Sequence, residues 1–155
     1  RSTWFIDAKQ TTCRPDGMLL VADAALAALP EEATAVGGLT MGADAMAFGV
    51  AAIGATRGRA LRAFSVRKEE KDHGAGGRIA GALEPGDKVV ITEDAVTRGV
   101  SMLEAAEVVQ AAGAEPILLM PVVDRGGTVT ALAAERGLEV RPLVTAVDLG
   151  FDYEG

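Results

Sequence analysis

The run Val89-Val90-Ile91-Thr92-Glu93-Asp94-Ala95-Val96-Thr97-Arg98-Gly99-Val100-Ser101 is the most informative stretch of the sequence for chemistry. Apolar residues suited to a buried strand lead into two adjacent acids. A short loop with hydroxyls and a glycine follows, and then a helical pattern begins. Thr97, Gly99 and Ser101 can offer backbone N–H groups and hydroxyls at a helix start, where unpaired donors and the helix dipole favour an anion such as phosphate. Glu93 and Asp94 would repel that phosphate if they pointed into it. They suit a neutral diol instead, accepting hydrogen bonds from two neighbouring ribose hydroxyls. Together these residues describe a ribose 5-phosphate site. Taken singly, Thr97 or Ser101 could simply cap a helix and the acids could be a solvated strand end, but that reading needs neither the double acid nor the glycine.

A second stretch, from Phe64 to Gly81, starts as a strand and becomes charged and rich in glycine. Arg67, Lys68, Lys71 and His73 supply positive charge and donors suited to a pyrophosphate, and an arginine can grip two oxygens at once. Gly74, Gly76, Gly77 and Gly81 open many backbone conformations, so the stretch reads as a mobile lid. Simple solvation of a charged loop is the plainer alternative.

Apolar runs alternate with segments of helical spacing along the chain, which predicts an α/β fold with a parallel sheet and crossover helices. The predicted strands are Thr34–Gly38, Leu61–Val66, Lys88–Glu93, Ile117–Val123 and Glu139–Val144. The predicted helices are Gly17–Leu29, Ala43–Ala55, Val100–Ala112 and Thr128–Glu135. In the third helix Met102, Ala105, Ala106, Val109 and Ala112 share one face while Glu104, Glu107 and Gln110 share the other. Gly113 stands where a helix-ending residue is wanted. Leu83–Asp87, centred on Pro85 and Gly86, predicts a tight turn feeding the strand at Lys88.

A chain of 155 residues is suited to one compact unit. Its formal charge of −7 argues against a nucleic-acid partner, which would need a clustered basic face. Cys13 is the single cysteine, so an internal disulfide is excluded and a reducing, cytoplasmic setting fits. No apolar run reaches the roughly 18 to 20 residues of a membrane helix. A dinucleotide site is disfavoured, because no G-x-G-x-x-G follows the first strand with an acid about 20 residues later.

The run from Val89 to Ser101 resembles the phosphoribosyl pyrophosphate signature of the type I phosphoribosyltransferases. Val66-Arg67-Lys68-Glu69, with Lys71, His73-Gly74 and Ile79-Ala80-Gly81, resembles the catalytic loop of the orotate phosphoribosyltransferases, and this pattern selects orotate as the base. Val36-Gly37-Gly38-Leu39-Thr40-Met41-Gly42-Ala43-Asp44 is similar to the family's pyrophosphate loop, with Ala45 where a proline is often found. Arg98 and Val100 replace small residues of the family's phosphate loop.

The resemblance implies the type I fold, a central, mainly parallel sheet flanked by helices with a flexible catalytic loop. It implies one domain over residues 1–155, with an N-terminal part of the family's domain, including an orotate-contacting lysine, upstream of Arg1. Glu93 and Asp94 would hold the ribose diol, residues Thr97, Arg98, Gly99, Val100 and Ser101 the 5-phosphate, and Thr40 the pyrophosphate. Arg125, at the strand end Val122-Val123-Asp124-Arg125, would meet the orotate carboxylate, with Thr97 and Phe5 bordering the base. Lys71, helped by Lys68, Arg67 and His73, would stabilise the leaving pyrophosphate. Magnesium would be carried mainly by the substrate, with Asp94 as a candidate ligand. A homodimer sharing its catalytic loops is also implied. A transferase for another base and a non-catalytic protein that binds phosphoribosyl pyrophosphate remain as alternatives.

Overall fold

The computed structural model describes residues 2–72 and 77–155. Six strands form one sheet: β1 (Ala35–Leu39), β2 (Arg62–Lys71), β3 (Gly77–Gly81), β4 (Lys88–Val96), β5 (Glu115–Asp124) and β6 (Val144–Thr145). Their order is β3-β2-β1-β4-β5-β6, and every pairing is parallel except β2 with β3. The helices are α1 (Lys9–Thr12), α2 (Pro15–Ala28), α3 (Asp44–Thr56), α4 (Val100–Ala111) and α5 (Val129–Ala134). No helix is long and apolar enough to cross a membrane among the described residues.

Strands covered on both faces must be apolar at consecutive positions, and these are. Val36, Val90, Leu118 and Met120 pack with Val21, Ala25, Met46 and Val50 of α2 and α3. Their neighbours Ala35, Val89, Ile91 and Leu119 point the other way, against Met102, Ala106, Val109 and Val129 of α4 and α5. Helix α2 begins at Pro15 with Arg14 extended before it, because a proline at the first helical position gives up an N–H that would have no partner there. Gly113 adopts a φ of 83° after α4, as its position predicts, but Leu103 is buried where Ala112 is not.

Strand β1 lies between β2 and β4. The helix leaving β1, α3, covers one face, and the helix leaving β4, α4, covers the other. The chain therefore departs in opposite directions from two adjacent strands, which opens a crevice at their carboxyl ends.

The structure corrects three expectations and adds one element. The predicted lid is a β-hairpin over its described part: β2 runs on to Lys71, and Phe64, Ser65 and Val66 pair antiparallel with Gly81, Ala80 and Ile79. Gly77 and Gly81 do not prevent pairing, because their backbones pair with Lys71 and Phe64 of β2. His73, Gly74 and Gly76 lie outside the described residues. Strand β4 continues through both acids to Val96, since β5 is long enough to pair with it as far as Asp124. The predicted strand Glu139–Val144 shrinks to a Val140–Leu119 bridge and the short β6, with Pro142 withholding a ladder donor between them. Helix α1 had no visible signal in the sequence.

Candidate active site

At the crevice, β4 places Glu93 with 8% exposure and Asp94 beside it. The loop that leaves β1 lies directly over this pair. A Cβ at Gly42 would sit 1.6 Å from Glu93 Oε1, so any larger residue there would push the Glu93 carboxylate aside. In the same loop the Thr40 hydroxyl donates to Asp44 Oδ2 at 2.6 Å, and the Thr40–Met41 peptide bond is cis. Burial, followed by the hydrogen bond and repulsion from Asp94, pushes the Glu93 carboxyl up to about 7, while the Asp94 amide and the Ser101 hydroxyl act the other way. Asp94 accepts the Ala95 N–H at 2.8 Å and forms an ion pair with Lys9 of α1. That bond to Asp94 holds the Lys9 ammonium above its ordinary range.

The loop after β4 is open. Residues 95–101 and Glu104 line a cavity of about 380 Å³. Gly99, at the N-cap of α4, has a φ of 81°, a left-handed conformation that glycine adopts without strain. Among the described residues no side chain caps α4, so neither Thr97 nor Ser101 is used up as a helix cap. The first-turn N–H groups and dipole are thus available to an anion. Arg98 is exposed and Val100 is 59% exposed, so both side chains line the cavity without filling it.

The cationic arm is less connected. Arg67 is turned into the hairpin, where its Nη1 donates to the carbonyls of Gly77 and Ile79, both at 3.3 Å. Arg78 Nε donates to Arg67 O at 2.8 Å, and Arg78 forms an ion pair with Glu104 on the cavity wall. Lys68 and Lys71 are exposed, and among the described residues no hydrogen bond or ion pair joins them to residues 97–101. His73 is outside the described residues.

At the end of β5, Arg125 Nη2 donates to Trp4 O and to Glu154 Oε2, the latter at 2.8 Å. Its guanidinium carbon lies 4.7 Å from the Trp4 ring centre. Trp4 also stacks on Phe151, with centroids 4.6 Å apart and 14° between planes. Phe5 is 84% exposed, so Trp4, its neighbour in the same aromatic segment, is the ring that meets Arg125. Sequence reasoning singled out neither Lys9 nor Glu154. Neither carries a local signal, because the partner of each lies far along the chain.

This fold, with its crevice between β1 and β4, is that of the type I phosphoribosyltransferases. The chain is 35% identical to the orotate phosphoribosyltransferase of Rhodopirellula baltica, covering 98% of the chain and 82% of that relative. It is 36% identical to the Nostoc orotate phosphoribosyltransferase, covering 99% and 75% respectively. The chain belongs to the orotate phosphoribosyltransferase family. Mycobacterium tuberculosis orotate phosphoribosyltransferase, solved in complex with 5-phospho-α-D-ribosyl 1-diphosphate, superposes with a TM-score of 0.79 at 31% identity, covering 95% of this chain and 84% of that one. No family model matches the chain.

Proposed function

We propose that the protein transfers ribose 5-phosphate from phosphoribosyl pyrophosphate to orotate, giving orotidine 5′-monophosphate and pyrophosphate in pyrimidine biosynthesis. The observation that carries this reading is the uncapped, open loop at the start of α4, one short turn away from an acid pair of which Glu93 is buried and Asp94 half-buried. Glu93 and Asp94 accept hydrogen bonds from the ribose diol. Residues Thr97 to Ser101 surround the 5-phosphate, and the loop through Thr40 lies along the pyrophosphate. Arg125 takes the orotate carboxylate, with Trp4 and Phe5 bordering the ring.

In the reaction a ring nitrogen of orotate gives up its proton and forms a bond to the anomeric carbon while the bond to pyrophosphate breaks, and the departing pyrophosphate or solvent takes up that proton. The departing oxygen takes the electron pair as positive charge builds on the ribose. Positive groups that approach the leaving oxygens therefore act chiefly on the transition state. Lys71 fills that role, with Lys68, Arg67 and His73 in support.

Among the described residues, no group of three or more His, Cys, Asp or Glu side chains is arranged to hold a metal. The hard carboxylate oxygens of Asp94 and Glu93 nevertheless fit magnesium that arrives on the substrate's phosphates. When bound, magnesium neutralises pyrophosphate oxygens.

The reading extends to a cytoplasmic homodimer in which the hairpin of one copy reaches the site of the other. The exposure of Lys68 and Lys71 supports it. At a phosphoribosyl pyrophosphate concentration too low to saturate Asp94→Asn, mixing it with Lys71→Ala should raise turnover above that of either variant alone if sites are shared, and should not if each copy works alone. The primary test mixes the protein with orotate, phosphoribosyl pyrophosphate and magnesium and follows the loss of orotate absorbance. Turnover with a different base alone would reassign the substrate, and binding without turnover would make the protein a sensor.

A further inference from the structure

Arg125, which the proposed function assigns to the carboxylate of the base, already holds a carboxylate in this structure. Glu154 Oε2 accepts from Arg125 Nη2 at 2.8 Å, and the two side chains are only 18% and 14% exposed. The other Glu154 oxygen accepts from Thr3 N at 2.7 Å and from the Thr3 hydroxyl. The Glu154 backbone N–H donates to Arg125 O at 3.1 Å, so main chain and side chain both anchor on the same arginine. Phe151 stacks on Trp4, and Tyr153 lies where a Cβ at Gly127 would be 2.9 Å from its ring. Residues 151–155 thus form a clasp over the Arg125 and Trp4 pair.

The clasp is incomplete in one respect. Glu154 uses only the Nη2 corner of the guanidinium, and Arg125 Nε is buried with no partner among the described residues. A buried donor left without a partner is costly, and a planar carboxylate that spans Nε and Nη2 makes a two-pronged grip stronger than a single bond. A carboxylate on the base can satisfy both donors, whereas Glu154, tied to Thr3 as well, satisfies one. Two carboxylates crowding one guanidinium would repel each other, so the base must displace Glu154 to bind fully.

We propose that Glu154 is an internal placeholder, a carboxylate that keeps Arg125 and Trp4 in place until the carboxylate of the base displaces it, and that it thereby sets the affinity for the base. The proposal rests on the assignment of Arg125 to the base. It makes Glu154 a specificity-determining residue without a part in bond breaking.

The test is Glu154→Gln in the full chain, which keeps the shape and an acceptor for Thr3 but removes the charge. With orotate varied at saturating phosphoribosyl pyrophosphate, KM for orotate should fall roughly two- to fivefold, the range expected for removing one partly exposed ion pair. The kcat and the KM for phosphoribosyl pyrophosphate should stay unchanged. Trp4 is the single tryptophan, so its emission reports release of Phe151, and orotidine 5′-monophosphate should shift it at lower concentration in the variant. Phe151→Ala loosens the same clasp without touching a charge and should also lower KM for orotate, which covers a Gln variant that fails to fold. An unchanged or raised KM for orotate in the folded variants overturns the placeholder role while leaving the base assignment intact. If the unmodified protein turns over another base but not orotate, the base assignment itself fails and the placeholder goes with it.

Discussion

The proposed ribose-phosphate end of the site and the cationic hairpin are built in opposite ways. Glu93 and Asp94 stand on β4, and residues 97–101 form the short link from β4 into the first turn of α4; the inward side chains Val89, Val90, Ile91, Met102 and Val109 of the two elements are completely or almost completely buried. Lys68 and Lys71 stand on an arm whose backbone pairs with β3 alone beyond Leu39, the last residue of β1. Strands and helices locked by packing hold a binding geometry precisely, whereas an edge hairpin leaves its side chains free to meet charge that develops late. The first region should therefore govern substrate affinity and the second turnover.

The largest expected effect falls on the arm. Lys71→Ala should lower kcat by about 100- to 1,000-fold, as loss of a transition-state donor does, with KM for phosphoribosyl pyrophosphate held within about threefold. Matched losses in kcat and substrate affinity would erase the contrast between the two regions. At the ribose end, Asp94→Asn should weaken phosphoribosyl pyrophosphate binding about tenfold or more, because a charge-assisted acceptor is lost and Lys9 is left without its partner. Calorimetry showing undiminished affinity would remove Asp94 from the diol site.

Glu93 sharpens the comparison through stability. Its carboxyl is pushed up to about 7 in the fold against an ordinary 4.5, so the folded chain binds this proton more tightly than the unfolded chain. The resulting stability is fully present below pH 4.5, is lost as pH rises toward 7, and stays lost above it. A glutamine cannot ionise, so Glu93→Gln should be more stable than the parent at pH 8 by on the order of 1 to 3 kcal/mol and no more stable at pH 4. The same variant should bind phosphoribosyl pyrophosphate less well. Thermal melts at the two pH values with equal differences would show that burial does not strain this acid. The smallest effect belongs to Arg98→Ala, which should change KM for phosphoribosyl pyrophosphate by no more than about twofold, because the side chain is exposed. A tenfold loss would place that guanidinium on the phosphate after all.

Much of the ribose-phosphate end was legible in the sequence because its parts are contiguous. An apolar strand, two acids, a loop and an amphipathic helix occupy residues 88–111, and each announces itself by local pattern. The hairpin was hidden for the opposite reason. Residues from Arg67 to Lys71 are polar and the segment beyond is rich in glycine, so local propensity argues for a loop. Only pairing with β3 makes a strand of them.

The sequence by itself determined the alternation of strands and helices, the acid pair, the glycine-bearing loop after them and the cationic run, because each depends on neighbours within one or two turns of chain. Tertiary structure alone decided that Lys9 meets Asp94, 85 residues away, and that Glu154 meets Thr3 across 151 residues. It also decided that Gly42 lies against Glu93. Contacts of that kind are fixed by how packed layers bring distant strand ends together, and a single sequence carries no local mark of them.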